Sequence, residues 1–360
     1  MDSIIGIVFQ NWYRLLKENR FKVDHKNFIK ALVITFLSLK NSRQKNKEDR
    51  KFRQLIDSTS IDEPPLFILG HWRSGTTFLH NLISTDQQFA FPNLFEVRNP
   101  HSFLSKQHLF EKRLQLYKAQ KRKMDNMQIA LDSPLEEEFA VAVMSLRSPL
   151  IGWMFPQNAK NYDKYVTFDD APEQDLQIWK EWYLLYLKKL TYKYQKPLLL
   201  KSPLNTARIG ILLTMFPNAR FIHIHRHPLQ VFKSTKKLYN SAIKASHMYN
   251  FEYEDLDRYI IDGYNEIYHA FFRDLPEIKE DRYYEIAFED LEAKPVDTVR
   301  TIYDALKMPF SDNALSQLKD YVSKHSNYKK NVYNDIPDKT KQLIFDKWQQ
   351  NFKRWGYSLS

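Results

Sequence analysis

The feature that most constrains the fold of this chain is a repeated alternation between short, largely apolar runs and segments with helical periodicity. The apolar runs lie at residues 66–69, 198–200, 219–225 and 283–288. The helical segments lie at residues 75–83, 206–215, 228–239 and 295–306. Short apolar runs bounded by breakers are typical of buried parallel strands. The alternation therefore predicts an α/β fold with a central parallel sheet flanked by helices.

Two further segments are predicted to be helical. Residues 105–195 have a helical pattern without a clear strand, and we expect a helical insertion that covers the strand ends, where open α/β sheets bind ligands. Residues 1–54 are predicted to be an N-terminal helical segment packed on a main domain of residues 55–360. Within that segment, residues 40–54 are almost entirely polar and are interpreted as a solvated connection.

The apolar stretch at residues 28–39 leaves two interpretations open. It is interrupted by Lys30 and is too short to span a bilayer. It is either a helix packed on the main domain or an amphipathic helix that lies on a membrane surface. Peripheral membrane contact through the N-terminal helices is therefore one prediction for this chain.

The composition excludes several kinds of chemistry. The chain has no cysteine, which rules out disulfides, thiolate catalysis and cysteine-ligated zinc and suits a reducing, cytoplasmic location. Its 54 basic and 43 acidic residues give a net charge of +11, which favours an anionic partner such as nucleic acid, an acidic membrane or a multiply charged cofactor. Because the basic residues form no single stripe and no nucleic-acid motif is present, we expect no nucleic-acid partner.

The loop between the first predicted strand and its helix has the character of an anion site. Its sequence at residues 70–77 is GHWRSGTT. Backbone N–H groups and a helix N-terminus favour a phosphate at such a junction, Thr76 and Thr77 can add hydroxyl groups, and Arg73 adds a planar cation. The loop is similar to a Walker A motif, but Thr76 stands in place of the lysine. Since no Walker B acid is found either, a nucleotide kinase or NTPase is the weaker interpretation.

A second group of residues follows the third predicted strand. Arg226 lies at the end of that strand, Pro228 suits the first position of a helix, and Ser234 lies two turns into the same helix. An arginine and a hydroxyl at these positions can bind a second phosphate. The alternative is an ordinary strand–helix corner with a surface arginine.

Together, the two groups resemble the motifs of the PAPS-dependent sulfotransferase superfamily, where PAPS is 3′-phosphoadenosine 5′-phosphosulfate. In that family a basic residue followed by Ser-Gly-Thr-Thr binds the 5′-phosphosulfate. The residues that match it are Arg73, Ser74, Gly75, Thr76 and Thr77. The family's 3′-phosphate site has the spacing of Arg226, Pro228 and Ser234. The arginine form is similar to the broad bacterial branch, and the resemblance covers residues 64–335.

The resemblance implies a P-loop-like sulfotransferase fold, transfer of a sulfuryl group from PAPS to an alcohol, PAP as product, and no metal. Lys201 is similar in position to a lysine that bridges the transferring group and the leaving phosphate, and with Arg73 it is expected to supply positive charge. The alternative for Lys201 is a solvated strand-end lysine. Lys329 and Lys330 lie in a late basic loop that resembles the loop closing over the nucleotide in the family, or in a solvated loop.

The catalytic base is less well defined. Pro203 stands where cytosolic members of the family have a histidine. By resemblance to other branches, Glu96 and His101 are the candidates, and either residue can instead be structural. The acidic cluster at residues 136–138 either stabilises a helix start or lies near the acceptor, where a carboxylate takes the acceptor proton or orients a histidine.

An aromatic-rich insertion predicts a small, lipophilic acceptor such as a sterol or another lipid alcohol, with a carbohydrate as the alternative. His223 and His225 alternate along one predicted strand. No third metal ligand accompanies them, so they do not predict a metal site. The sequence predicts no oligomeric state.

Overall fold

The computed structural model describes residues 4–117, 119–121, 127–325, 333 and 335–359. Its strands are β1 (Leu66–Leu69), β2 (Gln120–Lys121), β3 (Gln128–Ile129), β4 (Leu199–Lys201), β5 (Arg220–His225) and β6 (Tyr283–Ala287). Its α-helices are α1 (Phe9–Glu18), α2 (Phe28–Asp57), α3 (Thr76–Ile83), α4 (Leu94–Arg98), α5 (Gln107–Leu114), α6 (Glu138–Ser145), α7 (Lys160–Asp163), α8 (Glu173–Tyr194), α9 (Ile209–Met215), α10 (Pro228–Leu238), α11 (Leu256–Asp274), α12 (Phe288–Ala293), α13 (Pro295–Ala305), α14 (Asp312–Lys324), α15 (Asp338–Lys347) and α16 (Gln349–Trp355).

Within the described residues, four strands form a parallel sheet in the order β4-β1-β5-β6. Phe67 of β1 pairs with Leu200 of β4 on one side and with Phe221 of β5 on the other. Every residue of β1 is buried, as expected for a strand covered on both faces. The predicted central parallel sheet is therefore confirmed, and the strand predicted at 198–200 begins one residue later.

Alternate residues of β1 face two different cores. Phe67 and Leu69 belong to a large core that includes α8 and α11. Leu66 and Ile68 belong to a smaller core that includes α3, α13 and α14. The sheet is thus covered by helices on both faces, and its parallel strands bring the polar residues that follow them to one edge.

The segment at residues 105–195 contains α5 to α8, as predicted. Trp179 and Tyr183 of α8 are fully buried and stack with ring centres 4.6 Å apart. The segment also contains a short antiparallel hairpin in which Gln120 pairs with Ile129. The expectation of a region without strands is therefore wrong, because strands of two residues are too short to show an alternating pattern.

The predicted solvated connection at residues 40–54 is also wrong, because α2 runs through it without a break. These residues include neither glycine nor proline, so nothing in them ends a helix. Residues four apart also form ion pairs along α2, as between Arg53 Nε and Asp57 Oδ2 at 3.0 Å. Polar composition alone does not distinguish a solvated loop from a helix that is rich in lysine, arginine, glutamine and glutamate.

One residue of this polar stretch attaches α2 to the rest of the molecule. Glu48 is buried, and its Oε1 lies 2.6 Å from Nζ of Lys189 on α8. The separation into segments 1–54 and 55–360 stays a prediction. No helix within the described ranges combines the length and the apolar character needed to cross a membrane.

Candidate active site

Two glycines allow the loop between β1 and α3 to pack closely against its neighbours. Gly70 has φ of 140°, and a Cβ atom there would lie 2.5 Å from the carbonyl oxygen of Ile224. Gly75 has φ of 104°, and its Cβ atom would lie 2.3 Å from the ring of Phe288. Any side chain at either position would therefore displace the loop from the sheet.

Arg73 lies in the same loop in a left-handed conformation with φ of 72°, which costs a non-glycine residue about 1–2 kcal/mol. Its Nε donates a hydrogen bond to Ser234 Oγ at 2.8 Å. Thr76 and Thr77 begin α3, where the first N–H groups have no acceptor within the helix and the helix dipole favours an anion. The loop thus combines a fixed cation with a helix N-terminus, as an oxyanion site requires.

The second predicted phosphate motif lies beside this loop. Arg226 directly follows β5, and its guanidinium carbon lies 4.2 Å from the ring centre of Phe288, the same ring that abuts Gly75. Ser234 Oγ, besides accepting from Arg73, is 2.8 Å from the hydroxyl of Tyr333. The two motifs are far apart in sequence, and the fold brings them into direct contact.

Lys201 is the last residue of β4 and is buried, although it carries a charge. Its Nζ lies 2.6 Å from Oε1 of Glu136. Glu136 lines a pocket together with Arg73 and Thr76. The lysine predicted to act on the transferring group is therefore held at the edge of this pocket by a carboxylate, and it is not a solvated strand-end residue.

Glu137 lies behind the pocket and is fully buried. Its Oε1 accepts from Asn205 Nδ2 at 2.6 Å, and its Oε2 accepts from the backbone N–H of Lys201 at 3.1 Å. Burial raises the pKa of Glu137 to about 7 despite the hydrogen bond from Asn205. This carboxyl group therefore supports the backbone at the end of β4.

Glu138, the first residue of α6, forms a structural ion pair. Its Oε2 lies 3.0 Å from Arg208 Nη1, and neither side chain is exposed. Arg208 also donates to the backbone carbonyl oxygens of Tyr165 and Val166. Within the acidic cluster at residues 136–138, Glu136 thus lines the pocket, Glu137 supports the backbone and Glu138 forms a buried ion pair. None of the three carboxylates is simply a solvated residue at a helix start.

Glu96 lies outside the pocket. It forms a capping box at the start of α4, where its Oε2 accepts from the backbone N–H of Asn93 at 2.9 Å. Its Oε1 accepts from Lys193 Nζ at 2.7 Å and from the Tyr194 hydroxyl at 2.6 Å. Because both oxygens are occupied and the side chain is fully buried, the structure gives Glu96 a structural role where a base was predicted.

His101 is also absent from the pocket wall formed by the described residues. It is buried against Trp182, with ring centres 5.8 Å apart. Burial, aided by the charges of Lys189 and Lys45, holds the pKa of His101 well below its usual range. The structure therefore does not bring either predicted base, His101 or Glu96, to the pocket lined by Arg73 and Glu136.

The pocket lining combines polar and apolar side chains. The polar part of the lining includes Arg73, Thr76, Thr77 and Glu136. The apolar part of the lining includes Trp72, Phe139, Trp153, Leu238 and Ile243. Trp153 contacts both other aromatic residues, with ring centres 5.8 Å from Trp72 and 6.5 Å from Phe139. Such a site suits a molecule with one reactive polar group and an apolar body.

Sequence reasoning missed the aromatic wall because its members come from separate segments. Trp72 adjoins the phosphate motif, whereas Phe139 is on α6 and Trp153 is in an irregular segment. Ile243 lies in a short π-helix that extends α10, a feature often found at functional sites. Only Trp72 could have been found from the sequence, by its position beside Arg73. Lys329 and Lys330 lie outside the described residues.

Comparison with protein families gives a match over residues 64–312, to the family described as "Sulfotransferase family". Two curated relatives, from strains of Mycobacterium bovis and Mycobacterium tuberculosis, are each named omega-hydroxy-beta-dihydromenaquinone-9 sulfotransferase Stf3. Each is 31% identical over 353 residues, which cover 98% of this chain and 90% of the relative.

Two solved structures have a similar fold. Sulfotransferase STF9 from Mycobacterium avium gives a TM-score of 0.71 at 17% identity and covers 99% of this chain and 98% of its own. Sulfotransferase STF1 from Mycobacterium tuberculosis gives a TM-score of 0.62 at 15% identity, and the match covers 97% of this chain and 93% of that structure's chain. At these identities the likeness concerns the fold, and it extends over nearly the whole chain.

Proposed function

This chain belongs to the sulfotransferase family, and we propose that it transfers the sulfuryl group of PAPS to a hydroxyl group of a lipophilic acceptor and releases PAP. The observation that carries the nucleotide assignment is the hydrogen bond of 2.8 Å between Arg73 and Ser234. It joins the loop expected to bind the 5′-phosphosulfate to the motif expected to bind the 3′-phosphate. A nucleotide with phosphates at both ends of its ribose can contact both groups at once.

The 5′-phosphosulfate binds to the loop of residues 73–77 and to the N-terminus of α3. The 3′-phosphate binds to Arg226 and Ser234, and its charge is balanced by guanidinium groups at close range. An ATPase needs a cation where this chain has Thr76, which is 4% exposed. That buried threonine disfavours the nucleotide kinase or NTPase alternative. Lys329 and Lys330 remain proposed as residues that close over the nucleotide.

Sulfuryl transfer resembles phosphoryl transfer in that positioning and charge stabilisation do most of the work. The acceptor oxygen forms a bond to sulfur while the bond from sulfur to the bridging phosphate oxygen breaks, and the electron pair of that bond leaves with PAP. Lys201 and Arg73 stabilise the negative charge that develops on the leaving phosphate. The acceptor proton goes to a carboxylate in the pocket.

Glu136 is the proposed base, because it lines the pocket and is 2.6 Å from Lys201. When charge develops on the leaving phosphate, Lys201 turns towards that phosphate and leaves the carboxylate of Glu136 to accept the acceptor proton. Removal of the acceptor proton and stabilisation of the leaving phosphate are thus coupled through the side chain of Lys201. The earlier candidates His101 and Glu96 lie outside the pocket.

The apolar part of the pocket lining supports a lipid-like alcohol as acceptor. Its wall is formed by aromatic and aliphatic side chains, which bind an apolar body without hydrogen bonds. The curated relatives carry in their name a hydroxylated menaquinone, a lipid alcohol of this kind. A carbohydrate acceptor would need several polar partners and is the weaker alternative. A cytoplasmic location remains part of the proposal.

The test is incubation of the purified protein with radiolabelled PAPS and a series of primary alcohols that differ only in chain length. We expect label to move to the alcohol, with kcat/KM rising as the chain grows, because each added methylene buried in the pocket contributes about 0.8 kcal/mol. A matched series of monosaccharides is the control. Faster labelling of the sugars than of the long alcohols would contradict the proposed acceptor class.

A further inference from the structure

The first half of α2 exposes a large apolar face. Ile29 and Phe36 are 74% and 71% exposed, values that are unusual for large apolar side chains in a folded protein. Seven exposed apolar residues lie within half of the circumference of the helix. These residues, here called the α2 face, are Phe28, Ile29, Leu32, Val33, Phe36, Leu37 and Leu39.

The orientation of α2 is fixed by its opposite side, so the α2 face cannot turn inward. Ala31 and Ile34 pack against the large core, and Ser38 is buried. Thr35 Oγ1 accepts from Nε1 of the buried Trp12 on α1 at 2.9 Å. Because the opposite side of α2 is packed against the rest of the molecule, the α2 face is exposed in the folded protein.

Helix α1 lies beside α2 and extends the apolar surface. Tyr13 of α1 and Phe21, just beyond its end, are 51% and 55% exposed. Their ring centres are 6.0 Å apart. Amphipathic aromatic rings such as tyrosine are common where a protein meets the headgroup region of a bilayer.

The charge around this surface identifies the kind of partner. Residues 9–40 contain seven lysines and arginines but two acidic residues, Glu18 and Asp24. Six of the basic side chains are exposed, and they belong to Arg14, Lys17, Arg20, Lys22, Lys26 and Lys40. A second copy of the chain would bring the same positive charge against itself, whereas an anionic bilayer complements it.

Helix α2 and the turn before it are bonded to the segment that forms part of the acceptor-pocket wall. Lys30 Nζ donates to the backbone carbonyl of Ser246 at 3.2 Å, and the N–H of Asp24 donates to the carbonyl of Met248 at 2.9 Å. Ser246 and Ile243 line the pocket. Helix α2, which carries the apolar surface, is therefore in direct contact with the pocket wall at Ser246.

We propose that the enzyme docks on an anionic membrane surface through the α2 face and the neighbouring rings of Tyr13 and Phe21. The partner is a bilayer that contains acidic phospholipids, with the apolar side chains inserted among the acyl chains and the lysines at the headgroups. Docking places the acceptor pocket at the membrane surface, so a lipid alcohol reaches it without crossing bulk water. This last step rests on the proposed function, whereas docking itself does not.

The test is flotation of the full-length protein with vesicles, without nucleotide or acceptor. We expect the wild type to float with vesicles of phosphatidylcholine and phosphatidylglycerol, less with phosphatidylcholine alone, and less again at high salt. The variant Leu32→Ser/Leu39→Ser removes two side chains from the α2 face and should lower the partition coefficient about tenfold or more. Its matched control is Leu55→Ser/Leu184→Ser, two leucines of similar exposure elsewhere on the surface, which should float like the wild type.

Equal flotation of the two double variants, or no flotation of the wild type with anionic vesicles, would overturn the proposal. Light scattering adds a second criterion, because a wild-type dimer that Leu32→Ser/Leu39→Ser separates would mean that another copy covers the face. Enzyme activity tests separately whether docking delivers a lipid alcohol from the membrane to the pocket. The Leu32→Ser/Leu39→Ser variant should match the wild type on a short, water-soluble alcohol and be slower on a long-chain alcohol held in vesicles. Inactivity of the wild type on every alcohol would contradict the proposed function and leave the flotation result to decide docking.

Discussion

At the level of single residues, the account depends on how the carboxylates of residues 136–138 differ. They are adjacent in sequence, yet Glu136 faces the pocket, Glu137 is buried behind it, and Glu138 pairs with Arg208 in the core. Their different surroundings predict three different effects of removing the negative charge. The sequence could identify the cluster but could not rank its members, because the ranking depends on partners that are distant along the chain.

Replacing Glu136 by Gln should lower kcat on an aliphatic alcohol by about 10²–10⁴-fold, because the acceptor proton loses its base. PAP affinity should stay within a few fold. A phenol should be affected much less than an aliphatic alcohol, since its hydroxyl proton is more acidic. Steady-state kinetics with both acceptors measures the effect. Glu96→Gln and His101→Ala are the controls. A larger loss of kcat in either control than in Glu136→Gln would mean that the catalytic base lies outside the pocket.

Replacing Arg226 by Ala should weaken binding of PAP by about 1.5–3 kcal/mol, roughly 10- to 100-fold in Kd, because a charge-assisted contact to the 3′-phosphate is lost. Adenosine 5′-phosphosulfate, which lacks that phosphate, should bind to the variant and the wild type alike. Isothermal titration with each ligand gives the comparison. A similar loss for both ligands would mean that Arg226 does not touch the 3′-phosphate.

Glu137 predicts a dependence of stability on pH. Its pKa is about 4.5 in the unfolded chain and about 7 in the folded protein, so the folded state binds the proton more tightly. Its contribution to stability is complete below pH 4.5 and is lost as the pH rises through 7. Urea unfolding measured across this pH range should show that the free energy of unfolding falls less steeply with pH for Glu137→Gln than for the wild type. Identical slopes would mean that folding does not raise the pKa of Glu137.

At the level of elements, the strands were predictable and the polar helix was not. Buried parallel strands such as Leu66–Leu69 are continuous apolar runs, which few other structures produce. Residues 40–51 of α2 include no apolar side chain, and Glu48 in this stretch contacts α8 through a buried ion pair with Lys189. A charged residue that is buried beside its partner cannot be distinguished from a solvated one by sequence pattern alone.

That ion pair gives a prediction about how α2 is attached. Glu48→Gln leaves the buried ammonium of Lys189 without its partner and should destabilise the protein by about 3–5 kcal/mol. The double variant Glu48→Gln/Lys189→Met removes both charges and should recover much of that loss. Urea denaturation measures both. Arg53→Gln, which breaks an exposed pair on the same helix, is the control and should not change the midpoint. A small effect of Glu48→Gln would mean that α2 is attached mainly by apolar contacts.

At the level of the whole molecule, the nucleotide motifs were predictable because each is local to one strand–helix junction. Residues 73–77 and the trio of Arg226, Pro228 and Ser234 follow their strands directly, so a parallel sheet brings them to one edge. The pocket was not predictable. Its walls come from α3, α6, α10 and irregular segments, and their convergence depends on packing that only the folded chain defines.

The central claim is that the two phosphate motifs form one binding site for a nucleotide with a 3′-phosphate. A calorimetric titration tests it most directly, with PAP and with ATP and magnesium as separate ligands. We predict that PAP binds at one site per chain and at least tenfold more tightly than ATP with magnesium, because only PAP engages both Arg73 and Arg226. Tighter binding of ATP with magnesium, or no detectable binding of PAP, would contradict the account.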